Sequence, residues 1–276
     1  MTVPMPDAYT PAEVAERVRD IGVKKAAAPA VTLLALAVLA GAFIALGALF
    51  YAVTVTAGSG QSSHLGLTRL AGGVAFSLGL ILVVVGGAEL FTGNNLIAMA
   101  WAAGRVTGRQ VLRNWGLVYI GNIVGAVGTA VLVWLAGVQT FGDGAVGETM
   151  IRIARAKVTL DPVSALARGV LCNVLVCLAV WLCMAARSVA DKILAIVFPI
   201  SAFVACGFEH SVANMFFLPL GIALTASGSD PITWTGSLLN LGVVTVGNVI
   251  GGTGLVALVY WFVYLRHSKQ GTEPSH

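Results

Sequence analysis

Long apolar runs, each interrupted by a few polar residues, set the pattern of this chain. Six such stretches are Ala30–Val55, Leu70–Gly104, Trp115–Gln139, Gly169–Ala186, Ile193–Ala226 and Ile232–Leu265. Each meets the roughly 18–20 apolar residues that a bilayer crossing needs. In lipid, backbone polar groups have to be satisfied within the segment, so the pattern predicts helices. The expected fold is an all-α membrane protein with six transmembrane segments. A straight helix from Leu70 to Gly104 would run about 52 Å, against a hydrocarbon core of about 30 Å. Gly86, Gly87 and Gly93 flank Glu89 in this second stretch, and Pro199, Gly207 and Pro219 flank Glu209 in the fifth. Interruptions at corresponding places predict broken second and fifth helices that line a pathway.

The polar punctuation is duplicated. Glu89-Leu-Phe-Thr-Gly-Asn94 is matched by Glu209-His-Ser-Val-Ala-Asn214. Asn114-x-Gly116-x4-Gly121-Asn122-x-x-Gly125 is matched by Asn240-x-Gly242-x4-Gly247-Asn248-x-x-Gly251. Three crossings per repeat is an odd number, so the second half is expected to sit inverted relative to the first. The glycines imply close helix packing, and the asparagines read as polar clasps between helices.

Composition agrees with lipid as the solvent. Hydrophobic residues make up 58% of the chain and charged residues 10%, with a mean hydropathy of +0.90. Soluble domains average about 25% charged residues. One membrane domain over residues 28–266 is expected. Residues 1–27 form a cytoplasmic N-terminal segment and residues 267–276 a cytoplasmic tail. Of the 16 Lys and Arg, all but Arg69, Arg152, Arg155, Lys157 and Arg168 fall on the side that holds both termini. That bias places both termini in the cytoplasm. Charges fill the first 25 positions and no cleavable signal is evident, so the first span is expected to act as an anchor. Thr10-Pro11-Ala12-Glu13 fits a capping box, and Val14, Val18 and Ile21 then recur at helical spacing. Residues 10–25 therefore read as a short amphipathic surface helix. The net charge of +4 reflects topology and anionic lipid, with no nucleic-acid partner implied.

Enzyme chemistry finds no support. The chain lacks a metal-ligand cluster, a nucleophile–base motif and a glycine-rich phosphate loop, so no cofactor or metal is expected. Cys172, Cys177, Cys183 and Cys206 lie in apolar runs and read as packed thiols. The ionisable groups inside the apolar runs are Glu89, Glu209 and His210. Such groups are costly in lipid and tend to mark pathways. The glutamates, with Asn94 and Asn214, read as structural polar groups that hold helix breaks open. His210 has no counterpart in the first half, where Leu90 stands in its place. It reads as the substrate-contacting group, with Thr92 in the matching break.

Three segments add a family resemblance. They are Gly86-Gly-Ala-Glu-Leu-Phe-Thr-Gly-Asn-Asn95, Cys172-Asn-Val-Leu-Val-Cys-Leu-Ala-Val-Trp181 and Gly207-Phe-Glu-His-Ser-Val-Ala-Asn-Met-Phe216. Together they resemble the formate/nitrite transporter family over residues 10–267, and Phe76-Ser-Leu-Gly-Leu-Ile-Leu82 and Phe216-Phe-Leu-Pro-Leu-Gly221 resemble its formate channel branch. Gly93-Asn94 departs from that branch's version of the motif and resembles nitrite-transporting members. The resemblance implies an aquaporin-like, inverted three-plus-three fold assembled as a homopentamer, with one pore per protomer. The implied substrates are small monovalent anions, formate or nitrite. By the same resemblance His210, Thr92, Asn173 and Lys157 line the substrate pathway. Phe76, Leu80, Leu90, Phe91 and Phe203 form its apolar constrictions.

These residues suggest a mechanism. Lys157 concentrates the anion, and His210 gives it a proton or a strong hydrogen bond. The substrate then crosses the constrictions as a neutral acid, in the inner membrane of the cell. A hydrosulfide channel is an alternative within the family. A sodium-coupled transporter or an aquaporin-like neutral-solute channel stands outside it, and the latter is disfavoured because no Asn-Pro-Ala motif occurs.

Overall fold

The computed structural model describes residues 7–56 and 64–266, and the expected tail 267–276 lies outside them. The described residues are helical, with no strand among them. Helix α1, Pro11–Ala27, starts at Thr10, whose side chain and that of Glu13 close a reciprocal capping box. Its buried stripe of Val14, Ala15, Val18 and Gly22 packs on the bundle. Then follow α2 (Ala30–Thr54), α3 (Leu65–Gly86), a 3-10 turn (Gly93–Ile97), α4 (Ala98–Ala102) and α5 (Gly108–Leu135). The second half holds α6 (Ala145–Val158), α7 (Pro162–Ala185), α8 (Val189–Ala205), α9 (Ser211–Thr225) and α10 (Trp234–Tyr264). Residues Ile250–Leu258 of α10 wind as a π-helix.

Five of these helices, α2, α3, α5, α7 and α10, are long and apolar enough to cross a membrane. The fifth of the six expected stretches is broken, as its flanking prolines and glycine predict, into α8 and α9 of 17 and 15 residues, each too short to cross alone. The second stretch is cut likewise, α3 ending at Gly86. Both cuts have the same backbone device. Gly87 and Gly207 adopt φ of +82° and +72°, a left-handed conformation that only glycine takes without penalty and that stops the helix.

One helix, α6, falls in what hydropathy leaves as a loop. It buries Val146, Met150 and Ala154 at a spacing of four, a face too short to register as a membrane span.

Glycine sets the helix spacing. A Cβ on Gly125 would stand 1.9 Å from the carbonyl oxygen of Val38 on α2, and one on Gly251 2.2 Å from that of Val170 on α7. The paired strings therefore bring α5 onto α2, and α10 onto α7, at backbone contact. Gly116 and Gly242, in the same strings, meet nothing within 4 Å, so close packing is confined to part of each string. Gly125→Ala and Gly251→Ala are each expected to destabilise the fold by at least the 1–3 kcal/mol typical of overpacking, about that or more, since backbone has to move. Gly116→Ala and Gly242→Ala are expected to leave the midpoint of thermal unfolding in detergent unchanged.

Candidate functional site

The site grows from the two helix breaks, whose freed backbone groups need partners in a dry interior. At the first break the Glu89 N–H donates to the Leu36 carbonyl at 3.2 Å, and at the second the Glu209 N–H donates to that of Arg168 at 3.3 Å. Asn122 on α5 accepts from the Phe91 N–H at 2.9 Å and donates to the carbonyls of Ala37 and Glu89 at 2.8 and 3.0 Å. Asn248 on α10 repeats this, accepting from the Ser211 N–H at 2.9 Å and donating to the carbonyls of Gly169 and Glu209 at 2.8 and 2.9 Å. Each asparagine thus uses both ends of its amide to tie a break to the neighbouring helix.

A second duplicated cluster holds the glutamates. Asn94 Nδ2 donates to Glu89 at 2.7 Å and to Asn114 Oδ1 at 2.9 Å, and Asn114 donates to the Lys25 carbonyl at 3.0 Å. Lys25 Nζ sits 3.0 Å from the Glu89 carboxylate and donates to Asn94 Oδ1 at 2.8 Å. In the second half Asn214 Nδ2 donates to Glu209 and to Asn240 Oδ1, both at 2.8 Å, and Asn240 donates to the Lys157 carbonyl at 2.8 Å. Lys157 Nζ lies 3.0 Å from both oxygens of Glu209. A carboxylate in a dry site is costly unless paired and hydrogen-bonded, and here each has a lysine and an asparagine. Lys25 was not anticipated as the partner of Glu89. Nor is Lys157, assigned to the substrate pathway, paired with Glu209 by the sequence. Each lysine lies near the C-terminal end of its helix, α1 or α6, and only the fold brings it to the glutamate.

Thr92 and His210 meet across the breaks. Thr92 Oγ1 and His210 Nε2 are 3.0 Å apart, and both residues are buried. His210 is also the N-cap of α9, its Nδ1 accepting the Ala213 N–H at 3.2 Å. An accepting Nδ1 is unprotonated, so the proton of the neutral ring resides on Nε2 and is donated to Thr92. On one side the imidazole stacks on Phe203 with ring centroids 6.0 Å apart, and Phe203 meets Phe76 edge-on at 5.6 Å.

Two cavities flank this contact. One, of about 190 Å³, is lined by Phe76, Phe203, Lys157, Arg168, Glu209 and His210 among others. The other, of about 230 Å³, is lined by Leu80, Leu90, Gly93, Lys25 and Glu89 among others. His210 faces the first cavity, and Leu90 and Gly93, either side of Thr92, face the second. Thr92, Asn173 and Phe91 line neither. Asn173 Nδ2 donates to the Asn248 carbonyl at 2.7 Å, to Asn95 Oδ1 at 2.8 Å and to the Thr92 carbonyl at 3.3 Å, which places it behind Thr92. The Phe91 ring packs edge-on against Tyr119 of α5 at 4.9 Å.

Among the described residues no three His, Cys, Asp or Glu come together as a metal site. Cys172, Cys177 and Cys183 are buried thiols, whereas Cys206, at the C-cap of α8, is exposed in the protomer rather than packed.

Comparison with known proteins agrees with this architecture. The family profile described as "Formate/nitrite transporter" matches residues 12–262. Formate channel FocA of Escherichia coli (strain K12) is 42% identical over 95% of this chain and 96% of its own. A solved structure, a pentameric formate channel with formate bound, superposes with a TM-score of 0.78 at 37% identity, covering 86% of this chain and 98% of that one. An FNT family ion channel gives 0.80 at 29% identity, covering 91% and 98%. The chain is a membrane transport protein and belongs to the formate/nitrite transporter family.

Proposed function

We propose that this protein conducts formate across the cell's inner membrane, each protomer of a homopentamer holding its own pore. The observation that carries the reading is the 3.0 Å contact between Thr92 and His210, set between two cavities that each present a lysine. The duplicated bonding of the two breaks supports an inverted three-plus-three repeat, in which α8 and α9 together make the sixth crossing. The basic residues named above then put both termini in the cytoplasm, the Lys25 cavity inside and the Lys157 cavity outside.

A bare carboxylate cannot cross an apolar slit, because its desolvation costs far more than a transport step can supply. At the centre His210 Nε2–H exchanges Thr92 Oγ1 for a substrate oxygen. In this arrangement the ring is a hydrogen-bond donor. For it to give up a proton it first has to become an imidazolium, and that requires Nδ1 to release the Ala213 N–H. Proton transfer is therefore coupled to loosening the first turn of α9. Phe76 and Phe203 on one side, and Leu80 and Leu90 on the other, keep water from shunting the step. Glu89, Asn94, Glu209 and Asn214 hold the breaks, and Asn173 steadies the Thr92 carbonyl. Nitrite has the same charge and a similar bent pair of oxygens, so the same donor serves it.

Formate flux into proteoliposomes, followed by stopped flow at two pH values, tests the reading. His210→Phe is expected to abolish the rise in flux at acidic pH, and an unchanged pH dependence overturns the role of the histidine in proton transfer. Thr92→Val removes the partner of Nε2–H while keeping the shape. It is expected to change flux roughly two- to tenfold, the range of one net hydrogen bond, with little change in thermal stability. Competition by nitrite and hydrosulfide in the same assay ranks the anions.

A further inference from the structure

The Lys157-side cavity is lined by two cations, Lys157 and Arg168, and one carboxylate, Glu209. Lys157 is bound to both oxygens of that carboxylate, so the pair is compensated and contributes little net field at a distance. The ion pairs among the described residues are Arg19–Asp20, Lys25–Glu89, Arg155–Asp230 and Lys157–Glu209. Arg168 is in none of them. Its Nη1 donates instead to the Gly207 carbonyl at 3.4 Å, and Arg69 Nη1 donates to the Ala205 carbonyl at 3.2 Å. Arg152, which bonds Thr149 at 2.9 Å, does not line the cavity.

The two arginines thus sit on the C-terminal end of α8, where unsatisfied carbonyls gather partial negative charge. Gly207 and Arg168 line the cavity, Gly207 three residues before His210, so an anion approaching the histidine passes the Gly207 carbonyl, while Arg69 stands behind the lining on the same helix end. Among the described residues, the first break has no such device. The residue whose carbonyl accepts the glutamate N–H is Leu36 there and Arg168 here. Among the described residues, the charged groups lining the Lys25-side cavity are Lys25 and Glu89, a compensated pair. The two cavities therefore differ by one unpaired positive charge.

We infer that Arg168, supported by Arg69, is the residue that captures small monovalent anions at the Lys157-side mouth, and that Lys157 is committed to Glu209. This rests on the reading that the pore conducts such anions. The Debye length is about 30 Å at 0.01 M salt and about 8 Å at 0.15 M, so capture by an exposed guanidinium is screened across that range.

The test is stopped-flow formate flux into proteoliposomes of the full chain, at formate well below saturation, at both ionic strengths. Wild type is expected to slow as salt rises. Arg168→Gln retains an N–H for the Gly207 carbonyl but removes the charge. It is expected to cut low-salt flux by roughly tenfold, the low end for focused fields, and to flatten the salt dependence. Arg168→Lys is expected to restore both. If Arg168→Gln does not assemble, Arg69→Gln gives the same reading, with a partial loss of salt dependence expected. A wild-type salt response in these charge-removing variants, equal impairment of the Gln and Lys variants of Arg168, or a wild type that conducts without salt dependence overturns the inference. Wild-type vesicles with no flux above empty ones overturn anion conduction itself.

Discussion

Breaking a helix inside a membrane leaves N–H and C=O groups with no water to satisfy them, and this constraint organises the molecule. Each orphaned group costs several kcal/mol, about the whole margin of a small fold. The chain meets it twice with one asparagine amide, Asn122 at the first break and Asn248 at the second, each bonded to one N–H and two carbonyls. For those amides to reach, α5 has to lie against α2, and α10 against α7. Gly125 and Gly251 permit that approach by omitting a Cβ. Packing and polar satisfaction are thus one requirement, and the Asn-x-x-Gly spacing serves both.

Glu89 and Glu209 follow from the same logic. Taken alone, a buried carboxylate would be expected to repel an anion or to seek a proton. Bonded to a lysine and an asparagine, each becomes a joint between the break and an amphipathic helix, α1 or α6. These joints also explain why the two lysines stand where they do. Asn114 and Asn240 hold the lysine carbonyls, so backbone and side chain of each lysine are fixed together.

Much of this was legible in the residues. The glycines and prolines around Glu89 and Glu209 mark both breaks, the duplicated Asn-x-Gly strings mark the helices that pack closely, and the capping box at Thr10 sets the start of α1. What hydropathy could not show was α6, because its apolar face spans only Val146 to Ala154 and its other face is charged. Nor could spacing show that Lys25 reaches Glu89, a contact between residues far apart in the chain. The family resemblance groups Phe91 with the constrictions. Its backbone N–H is held by Asn122 and its ring turns to Tyr119, a direction that depends on how α5 packs.

The two halves share the asparagine and lysine–glutamate bonding that holds the breaks and part company around His210. Leu90 is answered by His210, Thr92 by Val212, and Leu36 by Arg168. A strictly symmetric version would place either two apolar residues or two imidazoles at the centre. Two leucines offer an anion no donor at all. Two histidines, each capping its own helix through Nδ1, would point two Nε2–H donors at one another with no acceptor between them. One histidine facing one threonine avoids both outcomes, since the hydroxyl accepts from Nε2–H and, on the proposed reading, would yield to a substrate oxygen. The scaffold is served by repetition, and under the proposed function the transported group is served by its absence, which is why the departures from the repeat are where that proposal places the chemistry.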